Sequence, residues 1–414
     1  MSFSLAASHA KGKFATDNIF GANAAAVQAE AKVGKEKVVN ATIGAILDDE
    51  GVLACLPTVE KVFRALPTVD LVRYSPIPGQ PAFLQAAIDM TLGEHKPEAY
   101  LDAVATAGGC GVIHHAIWNY TELGDTVLTS DWYWGPYNVL CHDALRKLDT
   151  FQLFDEKQNF NLQAFQTKVA GVLAKQDSVL IILNTPAHNP TGYSLSDTEW
   201  DGVLQVAKEC AQNPAKRIIL LVDAAYLEFA GENSECRAFF SKFGQLPQNL
   251  LTIVAFSMSK AFTMYGQRVG AMIGISSNKD VIQEFADINQ YTSRATWSNI
   301  NTPAMATMAT IYHDAQLKAA VDAERQSFYH LIRERAETFV NEAAEVSLNM
   351  LPYRAGFFLS IPAKNPEAVC EKLQEDYIFA VPLAQGIRVA VCAVPAYKIK
   401  GMAEKFKQAI AKTE

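Results

Sequence analysis

VLIILNTPAHNPTG, residues 179–192, is the stretch from which the architecture of this chain can be read. Residues 179–183 are apolar without interruption, the pattern of a strand buried on both faces. The nine residues that follow are punctuated by two prolines and a glycine and read as a fixed loop at the strand's end. Beyond them, residues 195–211 have helical spacing and open on Ser196 and Glu199, a pair that can form a capping box. RIILLVD (217–223) and LLTIVAFS (250–257) repeat the buried-strand pattern. Apolar strands separated by helices imply right-handed crossovers and a mostly parallel sheet with helices on both faces. Upstream, the strand-like residues 103–107 run through GGCG (108–111) into a helical stretch, 112–120. A glycine-rich turn in that position offers free backbone N–H groups to an anion.

From about Asn301 the chain changes character. Long amphipathic helices (304–332 and beyond) precede a short strand-like piece at 356–361, a further helix and RVAVCAV (388–394). The reading is an α/β protein. Residues 51–300 form the large domain, 301–414 a smaller α+β domain, and 1–50 an N-terminal arm that completes the small one. A length of 414 residues suits two or three domains. With 50% hydrophobic and 19% charged residues, the balance excludes whole-chain disorder, coiled coil and collagen. A net charge of −8 without a Lys/Arg run argues against a nucleic-acid binder. MSFSLAASHAKGKF (1–14) lacks the basic-then-apolar order of a signal peptide, and no apolar run reaches the length of a membrane span. The seven cysteines are scattered, with no CxxC pair, which disfavours a disulfide framework or zinc ribbon. A cytoplasmic protein without membrane or nucleic-acid partners is expected.

Chemistry concentrates where the apolar strands end. SMSKAFTMYGQRVG (257–270) follows the third run, and a lysine at a strand's carboxyl end points into the crevice where α/β sheets bind ligands. Alone, Lys260 reads equally as a surface lysine. Its neighbours Ser257, Ser259 and Arg268 suit a phosphate beside an amine. VDAAY (222–226) brings Asp223 and Tyr226 to the same rim, where a buried carboxylate needs a cation or a donor. Asn189, in the first loop, offers an amide to a ligand oxygen. Other constellations fail: the chain has no HExxH, no zinc-spaced Cys/His cluster, no GxGxxG after a strand and no GxSxG. His114 and His115 read as helix residues.

Three motifs in the order Asn-Pro, Asp-x-x-Tyr and Ser-x-x-Lys with a following Arg resemble the class I aminotransferases, pyridoxal-phosphate enzymes of fold type I. The aspartate/aromatic branch is the most similar. The resemblance runs from DNIFGANAAAVQAEAKVGKEKVVNATIG (17–44) to GIRVAVCAV (386–394). It implies that Lys260 holds pyridoxal 5′-phosphate as a Schiff base and shuttles the proton. Asp223 would pair with the pyridine nitrogen, keeping it protonated. Asn189 and Tyr226 would hydrogen-bond the ring's phenolic oxygen. Arg268, Ser257 and the backbone of Gly109 and Cys110 would grip the phosphate, and Trp134, in DWYWGPY, would stack on the ring. Tyr74, in RYSPIPGQPAF, matches the tyrosine that reaches the neighbouring subunit's phosphate.

Substrate contacts follow by the same route. Arg388 matches the arginine that clamps the α-carboxylate, with Ile43 and Gly44 in the segment closing over the substrate. Arg294, in SRATWSN, matches the arginine that reads a side-chain carboxylate from the other subunit. The implied enzyme is a homodimer with shared sites, moving an amino group between aspartate, glutamate or an aromatic amino acid and a 2-oxo acid such as 2-oxoglutarate. Two departures stand out: Gly108 occupies a position usually held by a small hydroxyl residue, and Cys110 replaces another. Trp132, Tyr133, Trp134 and Trp297 also make the neighbourhood aromatic, which leaves tyrosine and phenylalanine open as substrates. The alternatives are a lyase or decarboxylase of the same fold, and a non-catalytic binding protein. Arg294 disfavours the first, and the intact Lys260, Asp223 and Arg388 disfavour the second.

Overall fold

In the computed structural model, which describes residues 4–14, 18–232 and 235–414, the three apolar runs are neighbouring parallel strands. They are Ser178–Asn184, Arg217–Asp223 and Leu250–Ser257, at the middle of a seven-stranded sheet. Asp17, the first residue of the N-terminal motif, lies outside the described residues. On one side the sheet continues through Thr126–Ser130 to Lys147–Phe151, both parallel to the rest. On the other it continues through Gly270–Ser276, antiparallel to both its neighbours, to Tyr100–Thr106.

Successive side chains of a strand point to opposite faces, so a strand buried on both sides feeds two cores. Ile218, Leu220 and Val222 join the larger core, whereas Ile219 and Leu221 join a second one on the opposite face. Helices cover both faces. The helix Asp197–Cys210 starts with the expected capping box: Ser196 Oγ accepts from Glu199 N, and the Glu199 carboxylate accepts from Ser196 N at 2.7 Å.

A third core lies around a three-stranded antiparallel sheet of Val381–Leu383, Gly386–Ala390 and Phe358–Pro362. Val39–Asn40 pairs in parallel with Ile378–Phe379, and Ala41 and Ile46 join the same core. Two expected elements differ in detail. The run 388–394 is a strand only to Ala390 and then bends into the 3-10 turn Val391–Ala393, where Cys392 bonds across to Phe357 and Leu47. The helical stretch beginning at 304 is two helices, Thr302–His313 and Ala315–Glu345. Asp314 parts them by accepting from Gln316 N and Leu317 N at 2.8 and 3.1 Å, which caps the second helix. Met305, Met308 and Ile311 of the first helix pack into the large sheet's core, while Tyr329, Ile332 and Phe339 of the second pack into the small sheet's core.

Candidate active site

The carboxyl ends of four strands meet on one edge of the large sheet. Asn184 is level with Asp223 and Asp223 with Ala255; Ser257 is level with Gly270, and Gly270 with Thr106. The loops leaving these ends carry Asn189, Tyr226, Lys260 and Gly108–Cys110, so the predicted residues converge because the register aligns their strands.

Asp223 is buried, 6% exposed, and its carboxyl is pushed up by burial. Two hydrogen bonds work against that shift: Tyr137 donates its hydroxyl to Oδ2 at 2.6 Å, and the Ala225 amide donates to Oδ1 at 3.2 Å. Asn184 ties two loops together, donating Nδ2 to the Asp223 carbonyl at 2.7 Å and accepting the Asn189 amide at 2.6 Å. Asn189 Nδ2 lies 3.4 Å from the Tyr226 hydroxyl, and Asn189 Oδ1 accepts from Arg388 Nη1 at 3.4 Å. Arg388 also donates Nη2 to the Thr42 carbonyl at 2.6 Å, with its guanidinium 4.5 Å above the Phe358 ring. This cation-on-ring placement, added to the hydrogen bonds, holds a buried arginine in one orientation.

Lys260 donates its ammonium to the Gly44 carbonyl, and Nζ sits 4.7 Å from the Tyr265 ring and 5.7 Å from the Tyr226 ring. Burial pushes its pKa down to about 8, and the charges of Arg388 and Arg268 push the same way. Gly44 has no room for a side chain, since a Cβ there would stand 2.5 Å from Phe358 Cζ. Below the lysine, Arg268 donates Nη1 to Ser259 Oγ at 3.0 Å and to the Tyr265 carbonyl at 2.9 Å. Ser257 caps the lysine turn by accepting the Ser259 amide. Gly108, at φ +67, opens the helix Gly108–Tyr120, and a Cβ there would meet Arg268 Nη2 at 3.0 Å. Gly109 and Cys110 form the first turn of that helix, opposite Ser257. The glycine at 108 thus has a physical reason: it admits the left-handed backbone and leaves Arg268 its place.

Trp134 is partly buried and meets Tyr137 edge-on, with ring centres 5.5 Å apart. Two expected residues stand apart from the cluster within this chain. Tyr74 is 88% exposed, and Arg294 is exposed and bonded to Ser298 Oγ. Sequence reasoning missed Tyr137, Asn184 and Thr42. Tyr137 lies one residue past the Gly-Pro of DWYWGPY, and nothing in the string separates it from Tyr133.

Residues 36–406 match the model of the aminotransferase class I and II family. The chain belongs to that family. Its members are transferases that move amino groups with the help of pyridoxal 5′-phosphate. An aminotransferase of solved structure from Anaerococcus prevotii is 37% identical to this chain over the full length of both, with a TM-score of 0.96. The cytoplasmic aspartate aminotransferase of Gallus gallus is 26% identical over 407 residues, 92% of this chain and 93% of its own. An aromatic-amino-acid aminotransferase from Burkholderia pseudomallei, solved covalently bound to pyridoxal phosphate, shares the fold at a TM-score of 0.79. It is 23% identical and aligns over 98% of this chain and all of its own.

The residues of this aminotransferase suit that cofactor. Among the described residues no lysine or arginine pairs with buried Asp223, so a protonated ring nitrogen would supply the cation that a buried carboxylate lacks. The two glycines at the helix start, with Arg268 and Ser257, form a donor set for a phosphate. Lys260 brings an amine of lowered pKa to the same rim of the sheet. No helix among the described residues is long and apolar enough to cross a membrane, and no cluster of metal-ligating side chains occurs there.

Proposed function

We propose that Lys260 carries pyridoxal 5′-phosphate and that the enzyme exchanges amino groups between dicarboxylic or aromatic amino acids and 2-oxoglutarate, as a cytosolic homodimer. The convergence of a depressed lysine with Asp223, Asn189, Tyr226, Arg268 and Arg388 is the observation that supports this reading most. When bound, the cofactor supplies an electron sink for the substrate's Cα.

The chain's own groups do the rest. Asp223, held by Tyr137, would pair with the ring nitrogen and favour its cationic form. Asn189 and Tyr226 would hydrogen-bond the ring's oxygen, and Trp134 would stack on the ring. Arg268, Ser257 and the amides of Gly109 and Cys110 hold the phosphate. Arg388 presents a planar fork to the α-carboxylate, already aimed by Thr42, Asn189 and Phe358. Lys260 Nζ, as a free amine, would take the proton from the substrate's Cα and deliver it to the cofactor's C4′ carbon. A pKa near 8 leaves a useful share of free amine at physiological pH. Tyr74 and Arg294, exposed here, serve the partner subunit's site, Tyr74 at the phosphate and Arg294 at a side-chain carboxylate.

Substrate profiles test these roles. Arg388→Lys loses the bidentate fork, so KM rises for every amino acid. Arg294→Ala weakens aspartate and glutamate selectively and leaves phenylalanine near wild type. Equal losses for phenylalanine and aspartate in Arg294→Ala would refute the assignment to the side-chain carboxylate.

A further inference from the structure

The long helix Ala315–Glu345 passes from one core to the other: Val321 packs in the core of the large sheet, and Tyr329 in that of the small one. Between them lies Arg325, 3% exposed. A guanidinium so deeply buried requires partners, and those it has lie behind the active site. Its Nε donates to the Ala261 carbonyl at 2.6 Å, and its Cζ sits 4.5 Å above the Phe262 ring. Ala261 follows Lys260 directly and ends the single-turn helix Met258–Ala261, whose last carbonyls have no partner within the helix. Nη1 of Arg325 lies 3.0 Å from Asp322 Oδ1 and 3.8 Å from Glu228 Oε2. Glu228, its side chain 11% exposed, is in the 3-10 turn Leu227–Phe229 that follows Tyr226, and Arg237 Nη2 holds its other oxygen at 2.7 Å.

One side chain therefore grips the end of the turn that carries the lysine and faces the ion pair that anchors the turn after Tyr226. We propose that Arg325 is a positioning residue of the transamination site, fixing the Lys260 turn against the Tyr226 turn. The inference rests on the reading of Lys260 as the cofactor's carrier. A guanidinium suits the task because a donor at Nε and another at Nη1 diverge rigidly, whereas an ammonium is a single point on a flexible stem. Ordering a catalytic amine in this way acts on the chemical step more than on substrate binding.

Arg325→Lys keeps a positive charge before Glu228 and loses the fixed Nε donor. In the holoenzyme, kcat is expected to fall about tenfold, the effect of one lost charge-assisted hydrogen bond, with KM little changed. Amide exchange should quicken in residues 226–229 and 258–263, while the strand Leu250–Ser257 keeps its wild-type protection. A lower melting temperature with wild-type kcat, and with exchange raised evenly along the chain, would show a purely structural arginine and overturn the proposal. Glu228→Gln serves if the lysine variant does not fold. It preserves the bond to Ala261, so exchange should quicken at 226–229 and stay unchanged at 258–263. Unchanged exchange at 226–229 in that variant would equally overturn the proposal. The absorbance band of lysine-bound cofactor in the wild type separates the two readings: its absence would refute the carrier role of Lys260, whereas its presence with unaffected variants would refute only the role of Arg325.

Discussion

Tyr137→Phe removes one hydroxyl and leaves the ring that packs on Trp134. Burial then raises the Asp223 carboxyl with one fewer hydrogen bond to oppose it, so less of the acid is ionised at neutral pH. Affinity for pyridoxal 5′-phosphate should fall about tenfold, and further as the pH is lowered, because one charge-assisted hydrogen bond is lost. Spectrophotometric titration with the cofactor checks this, and wild-type affinity would mean that Tyr137 has no hold on Asp223. For Lys260 the sign runs the other way. Burial disfavours the ammonium, so the free amine accumulates as the pH rises, and kcat should climb and level off around the depressed pKa of about 8. A profile still climbing near pH ~10, the ordinary lysine range, would show an unperturbed amine. The convergence of Lys260, Asp223 and Asn189 was legible in the sequence because each stands at or just beyond the end of a buried strand, and strand ends converge. Tyr137 and Asn184 were not, because their importance lies in what they touch, and contact across the sheet leaves no local pattern.

At the scale of elements, the turn into the helix Gly108–Tyr120 shows what a single glycine secures. Gly108→Ala would place a Cβ on a left-handed backbone 3.0 Å from Arg268 Nη2. The strain costs about 1 kcal/mol, and Arg268 must shift away from the phosphate position. Melting temperature and cofactor affinity should therefore drop together, and a variant that melts lower yet binds the cofactor normally would contradict the placement of Arg268. The central strands were readable because continuous apolar runs of strand length admit few other structures. Lys147–Phe151 was not: it is an edge strand, KLDTF, with mixed polarity and partly exposed side chains, and its neighbour rather than its composition makes it a strand. The place where the first of the expected helices ends, at Asp314, has no signal in the periodicity, which continues on either side; only the capping side chain marks it.

At the scale of the whole molecule, Tyr74 and Arg294 lie exposed and away from the cluster of their own chain, as residues lent to a partner would. Hybrid dimers test the sharing. Co-expressed Lys260→Ala and Arg294→Ala subunits should regain activity toward aspartate, since a mixed dimer contains one site with both residues intact. Mixtures no more active than the parents would mean that each chain completes its own site. The mostly parallel sheet was legible in one sequence, because uninterrupted apolar runs of strand length alternate with helical stretches. The central claim, that Lys260 carries pyridoxal 5′-phosphate for amino-group transfer, is tested most directly by the visible absorbance of the purified protein. A yellow band is expected that bleaches on adding aspartate or phenylalanine, returns with 2-oxoglutarate, and is missing in Lys260→Ala. A protein that stays colourless with added cofactor, or a band that no amino acid bleaches, would contradict it.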